Sequence, residues 1–383
     1  MATPELIDRA NKVFEFGFAG PVLDFMGKQP VYPPSGSIRP GRVIKAPRGR
    51  TDVAPRANFV QFSKQKLENA ADRIAFIKFV DDQSNTAHKG ALSFDIKYGD
   101  DPSLSTVGSR AGYIPIWWLP WNGAGAVVKL KIEDANTATF PVGPGVAPIP
   151  NPKFFFTAAV NGCSVIIRGD DRGPSCYHAG IDGTTVKDAM GEDNFNALGG
   201  TVEQVWRNII EGVYYRKSGQ DTVLAPKPLA HHKGGQLKKD KDTWGEINRN
   251  DYVAERDPLN PDRYFTVPGS LPNQRMNTTL LAKTFQEFAR NENRNLLTEI
   301  EVSPWGCVFG LRDGTGTWKM YLQRNSTITY RRLRKRHGVG KLRFGDLEPF
   351  GPQQTVFVTL AIQRFFPDKA AVHYREFSQV QLV

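Results

Sequence analysis

From Leu92 onward the apolar residues of this chain fall in short runs broken by glycine and proline. That texture is hard to fold into anything but sheet. LSFDIKYG alternates apolar and polar residues over Leu92–Gly99. Compact runs of β-branched and aromatic residues follow: VVKLKI at 127–132, FFFTAAV at 154–160, SVIIR at 164–168, CVFGLR at 307–312, WKMYLQR at 318–324 and TVFVTLAIQRFF at 355–366. Runs of this length, bounded by turn residues, are read as strands of a sheet or sandwich core.

Helical spacing interrupts the pattern. Thr3-Pro4-Glu5 has an N-cap residue followed by proline at the first helical position, and Leu6, Ala10, Val13 and Phe14 then share one face. Lys64–Val80 shows helical spacing at Leu67, Ala70, Ile74 and Ile77. Thr201–Tyr215 does so at Val202, Val205, Trp206, Ile209, Ile210 and Val213, and Thr278–Leu297 is a further helix candidate. Residues 27–50 are rich in Pro, Gly and Arg and fit an extended basic arm or a linker. Arg216–Asp262 is polar and reads as an exposed excursion. The expected fold class is α+β: a central β-sandwich or mixed sheet flanked by helices. An N-terminal helical and extended region (1–90) would precede a β-rich body with helical insertions (91–383).

The 383 residues suffice for a large core. No apolar run approaches the roughly 20 residues that span a bilayer; the most apolar stretch, Ala111–Trp121, is short and carries two prolines. The N-terminus lacks a basic region followed by an uninterrupted apolar one, so the reading is export without a cleaved signal, or a cytoplasmic protein. Three cysteines, Cys163, Cys176 and Cys307, are too few and too odd for a disulfide framework, although a Cys163–Cys176 bridge across a hairpin stays open. The formal charge of +11 fits an acidic partner or simple solubility.

The segment 153–183 concentrates the chemistry. One apolar run reaches Asn161-Gly162-Cys163, and a second, Ser164–Arg168, leaves it. A Gly/Asp/Arg/Pro loop then returns the chain through Tyr177-His178-Ala179-Gly180. Read as a hairpin, this sets the Cys163 thiol beside the His178 imidazole, the minimal equipment for nucleophilic acyl chemistry. The imidazole would take the thiol proton, stabilise the thiolate and later protonate a leaving amine. Gly162 permits a tight turn. Thr157, an even number of residues before Cys163, would share its strand face and could orient the imidazole; Asp171, Asp182 or a backbone carbonyl are alternatives. The N–H of Cys163 and a neighbour in the Asn161-Gly162-Cys163-Ser164 turn would form an oxyanion hole. Against this stand bland readings: cysteine is usually a small buried hydrophobe, and a strand histidine a satisfied core residue.

Gly162-Cys163 after a strand, with His178 following at 15 positions (163 to 178), resembles the deamidase toxins of the cytotoxic necrotizing factor class. It resembles more distantly the Burkholderia lethal factor and the bacterial chemoreceptor deamidases. Asn161 stands where the necrotizing factors usually have serine. The resemblance covers about 30 residues. It implies a β-sandwich core with helices around it, hydrolysis of a glutamine side-chain amide in a target protein, and no cofactor. In the necrotizing factors the targets are host Rho-family GTPases.

Other signals are weaker. Cys176 and His178 are two apart on one strand, further than a hydrogen bond wants. His231-His232 has no partner at metal spacing, and no metal site is read. Gly310–Gly316 is a hairpin turn rather than a phosphate loop, since no GK[ST] follows. The basic run Tyr330–His337 fits phosphate contact or a solvated face. The expected activity is therefore a protein glutamine deamidase with a thioester intermediate. The alternatives are a non-enzymatic, capsid-like basic β protein that binds nucleic acid, or a cysteine-dependent transglutaminase or protease.

Overall fold

The computed structural model describes residues 2–34, 64–66, 70–81, 90–121, 127–141, 145–180, 196, 214–216, 224–226, 243–252, 278–291, 297–335 and 347–374. The chain is α+β, with sheet predominating.

Two helices open it. Helix α1 (Pro4–Phe16) begins where Thr3 Oγ1 accepts the Leu6 N–H at 3.2 Å, with proline at N1. It ends at Gly17, whose left-handed φ of 69° closes the last turn. Helix α2 (Ala19–Lys28) follows at once. The strands, in chain order, are β1 (Lys64–Lys66), β2 (Ile74–Asp81), β3 (Leu92–Tyr98), β4 (Ile114–Leu119), β5 (Val127–Lys131), β6 (Thr139–Phe140), β7 (Ile149–Pro150), β8 (Phe154–Thr157), β9 (Ser164–Gly169), β10 (Ser175–Ala179), β11 (Tyr214–Arg216), β12 (Leu224–Pro226), β13 (Thr243–Ile247), β14 (Leu297–Arg312), β15 (Trp318–Lys335), β16 (Leu347–Phe366) and β17 (Ala370–Tyr374).

An eight-stranded sheet has the order β17-β16-β15-β14-β8-β4-β2-β3, antiparallel except where β4 meets β8. A five-stranded sheet has the order β1-β5-β10-β9-β13. The central strands of the large sheet are apolar on both faces because each face meets a different layer. Ile116 and Trp118 of β4, Phe154 and Phe156 of β8 and Ile77 and Phe79 of β2 pack against α1 and α2. Their neighbours Trp117, Leu119, Phe155 and Phe76 face the other way, into a second core with Val128, Val165, Ile167 and Cys176 of the small sheet. The architecture is thus helices, large sheet, small sheet. Phe14 anchors the helical layer, with ring centroids 4.8–5.8 Å from those of Phe79, Phe154 and Phe156. Its burial contributes roughly 1.5–3 kcal/mol. The helix Thr278–Asn291 lays Phe285 and Ala289 on Ile328, Tyr330, Val358 and Leu360.

Two expectations are corrected. Lys64–Val80 is not a helix: one helical turn, Ala70–Arg73, leads into β2. The run IAFIKFVD is apolar at nearly every position because both of its faces are covered. Any such run contains a helical subset of positions by coincidence, and its β-branched and aromatic residues favour the strand. Since β2 sits between β4 and β3, the chain before residue 90 supplies part of the large sheet itself. The polar excursion 216–262 is also interrupted: β13 joins the small sheet, and Ile247 and Tyr252 are buried. Residues 201–213 of the helix expected at 201–215 lie outside the described residues, while its last two, Tyr214 and Tyr215, are in β11; most of the arm at 27–50, His231-His232 and Asp182 also lie outside the described residues.

Candidate functional site

The hairpin read from residues 164–179 is present. Strands β9 and β10 pair antiparallel, with Val165 opposite His178 and Ser164 opposite Ala179. Strand β8 does not join them; it lies in the large sheet, and residues 158–163 carry the chain from one sheet to the other. Val160 bridges to Gly306 of β14 on the way, through N–H···O bonds of 3.0 and 2.9 Å. Gly306 is required there, since a Cβ would sit 2.6 Å from Val160 Cγ2.

Side-chain alternation sets the site. Val165, Ile167 and Cys176 face the large sheet, so His178, two residues from Cys176, does too. Cys163 has the parity of Val165 and belongs to the same inter-sheet core. Continuing the ladder one residue places it opposite Gly180, so His178 is its diagonal neighbour on one face. Diagonal backbone positions lie roughly 7–8 Å apart, within reach of a long or aromatic side chain. Thr157 approaches from the opposite sheet: it has the parity of Phe155, which faces the same core, and it pairs with Leu119. Its hydroxyl donates to the Ala158 carbonyl at 2.7 Å. The three residues converge on one inter-sheet space, although the single strand that was to align Thr157 with Cys163 is broken between the sheets.

The histidine is unusual. It is fully buried, and neither Nδ1 nor Nε2 has a hydrogen-bond partner among the described residues. Other buried side-chain atoms share this state, among them Trp117 Nε1, Trp318 Nε1 and Ser164 Oγ, but His178 is the titratable imidazole beside a cysteine. Burial pulls the imidazole down from 6.5 to about 4, against a smaller upward pull from the Leu119 carbonyl. That carbonyl also accepts the Ala158 N–H at 3.0 Å. The resting imidazole is therefore neutral, not the imidazolium of an ion pair as the sequence suggested. Asp171 cannot orient it: Asp171 lies in the closed-end loop of the hairpin, beyond the Arg168–Ser175 pair, where its carbonyl accepts the Trp318 N–H at 2.7 Å.

The three cysteines are unbridged, so the Cys163–Cys176 bridge that the sequence left open is not formed. Cys176 and Cys307 have no exposed surface, and burial pushes both thiols well above the ordinary range. Cys163 is also buried but keeps 9% exposure, the most of the three. Its turn is built around Gly162, at φ +104°, with Asn161 exposed. Ser164 points the other way, its Oγ buried without a hydrogen-bond partner.

One residue of this turn had no sequence signal. Tyr252, 89 positions from Cys163, accepts the Gly162 N–H at 2.8 Å and donates to the Cys163 carbonyl at 2.6 Å. A short helical turn, Arg249–Tyr252, presents it, and Asp251 caps that turn by accepting the Asn248 N–H at 2.9 Å. The Gly162 N–H is thereby committed, which removes it from the expected oxyanion donors.

The basic run on β15 is partly neutralised. Arg331 pairs with Glu299 at 3.0 Å, and Arg334 pairs with Glu348 at 2.9 Å while lying over the Phe350 ring. The turn 312–318 joins β14 to β15 as a hairpin, and Asp313 accepts N–H bonds from Thr315 and Thr317. Among the described residues no helix is long and apolar enough to cross a membrane. No protein-family model matches the chain, and no curated protein matches it.

Proposed function

We propose that this chain is a cysteine amidohydrolase that deamidates glutamine side chains of a target protein, with Cys163 as nucleophile and His178 as base. The observation that carries this reading is the fully buried, unpartnered imidazole of His178, one diagonal from the least buried thiol.

In this reading the Cys163 Sγ attacks the carboxamide carbon as its proton passes to the neutral His178. The Cys163 N–H stabilises the oxyanion. The C–N bond breaks, and ammonia leaves with the proton from His178. Water, deprotonated by His178, hydrolyses the thioester and frees the thiol. An amine in place of water would give transamidation. The low-lying imidazole stays a free base well below neutrality. The ion pairs of Arg331 and Arg334 with Glu299 and Glu348 weaken the case for nucleic acid as the main partner. An effector acting on a protein inside another cell, a small GTPase for example, is the setting that the resemblance of Gly162-Cys163 and His178 suggests.

The test is to incubate host-cell lysate with the protein and with Cys163→Ser, and to map glutamine-to-glutamate conversions by mass spectrometry. Discrete conversions with the wild type and none with Cys163→Ser are expected. Conversions that persist in Cys163→Ser, or none with the wild type, would overturn the reading.

A further inference from the structure

We propose that Tyr252 is a positioning residue for acyl transfer, fixing the Cys163 N–H in the orientation of an oxyanion donor. This rests on the reading of Cys163 as nucleophile. One phenolic oxygen holds the peptide groups on both sides of the critical one: it accepts from the Gly162 N–H at 2.8 Å and donates to the Cys163 carbonyl at 2.6 Å. Between them lies the peptide unit that carries the Cys163 N–H. With both flanking groups held, the Cα atoms at either end of that unit are kept in place, which restricts the conformations open to it.

Gly162 needs the help. Its φ of +104° belongs to a region that glycine leaves readily, because many other conformations are open to it. Tyr252 is itself rigid. It is fully buried in the inter-sheet core, and a Cβ on Gly306 would come within 3.4 Å of its Cγ. The capped turn Arg249–Tyr252 and strand β13 before it tie the phenol to the sheet that carries Cys163.

Two reagents separate this role from a merely structural one. With p-nitrophenyl acetate, the Cys163 sulfur bonds to the acyl carbon and the thiol proton goes to His178. The carbonyl oxygen gains charge, and nitrophenolate leaves with its electron pair. With iodoacetamide the sulfur displaces iodide and no oxyanion forms. Only the first reaction needs the oriented N–H.

The experiment measures both rates at Cys163, resolved by mass spectrometry, in the wild type, Tyr252→Phe, Gly162→Ala and His178→Gln. Tyr252→Phe keeps the ring and loses the hydroxyl. It should slow acylation about 10- to 100-fold while alkylation stays within about twofold. Gly162→Ala strains the same turn with no neighbour within 4 Å to complicate it, and should give the same signature; it decides the matter if Tyr252→Phe does not fold. Equal rates in Tyr252→Phe and wild type, or a parallel loss of both reactions, would overturn the proposal. Acylation that depends on His178 but not on Tyr252 sinks this proposal alone. A wild type that is not acylated at Cys163, with alkylation indifferent to His178→Gln, sinks the nucleophile reading and this proposal with it.

Discussion

Gln323 and His178 are both fully buried polar side chains, one on each side of the large sheet, and they are treated in opposite ways. Gln323 of β15 faces the helical layer. Its Oε1 accepts from Val31 N–H and Asn325 Nδ2, and its Nε2 donates to the carbonyls of Met26 and Gln29. It satisfies the backbone left open where α2 ends and so fastens the helices to the sheet. His178, on the small sheet, faces the large sheet from its other side, and its ring nitrogens have no hydrogen-bond partner among the described residues. A buried polar group that closes a network belongs to the fold. One left open has a cost to the fold, and chemistry is the natural reason for retaining it.

The comparison can be broken first at Gln323. Gln323→Leu strands the Val31 N–H and the Met26 and Gln29 carbonyls in the core, and should cost about 3–5 kcal/mol. Denaturant unfolding measures it, and a loss under about 1 kcal/mol would mean the network is ornamental. Acylation of Cys163 in the surviving folded fraction should be unchanged.

Acid provides the next largest effect. His178 has an ordinary value of 6.5 and a folded value of about 4. As pH falls below 6.5 the unfolded chain takes up a proton that the folded chain refuses. The stability contribution is therefore complete above 6.5 and is lost progressively down to about 4. At about 1.4 kcal/mol per pH unit the loss is roughly 3 kcal/mol. Unfolding midpoints from pH 7 to 4 should show this step, and His178→Gln should remove it. A step that survives the substitution belongs to other groups.

The smallest effect is the sharpest. His178→Leu replaces an unpartnered imidazole with an apolar side chain of similar size, and should stabilise the protein at pH 7 by about 1 kcal/mol. It should at the same time abolish acylation of Cys163. A stable, inactive variant is the signature of a residue retained for function. Destabilisation beyond about 2 kcal/mol would show that the imidazole has a structural partner after all.

Much of the local structure could be read directly. The Thr3 cap and Pro4 start of α1, the β9–β10 hairpin and the turn at 312–318 all follow from residues adjacent in sequence, where capping, alternation and turn chemistry act within a few positions. The placement of Cys163 and His178 on one face was legible for the same reason, because a hairpin register is a local property. Strand β2 was misread because a segment covered on both sides loses the alternation that distinguishes strand from helix, and only its neighbours in three dimensions explain why both sides are apolar.

The sequence by itself determined the start of α1, the β9–β10 hairpin and the Gly162-Cys163 turn that leads into it. Tertiary structure decided the rest. It placed Thr157 on the facing sheet and kept His178 neutral by burying it under β4, whereas spacing alone suggested an ion pair. It also brought Tyr252 to Cys163 from a stretch that reads as polar and exposed. Burial and long-range hydrogen bonds arise only when distant segments meet, and a charge state depends on the solvent those segments exclude.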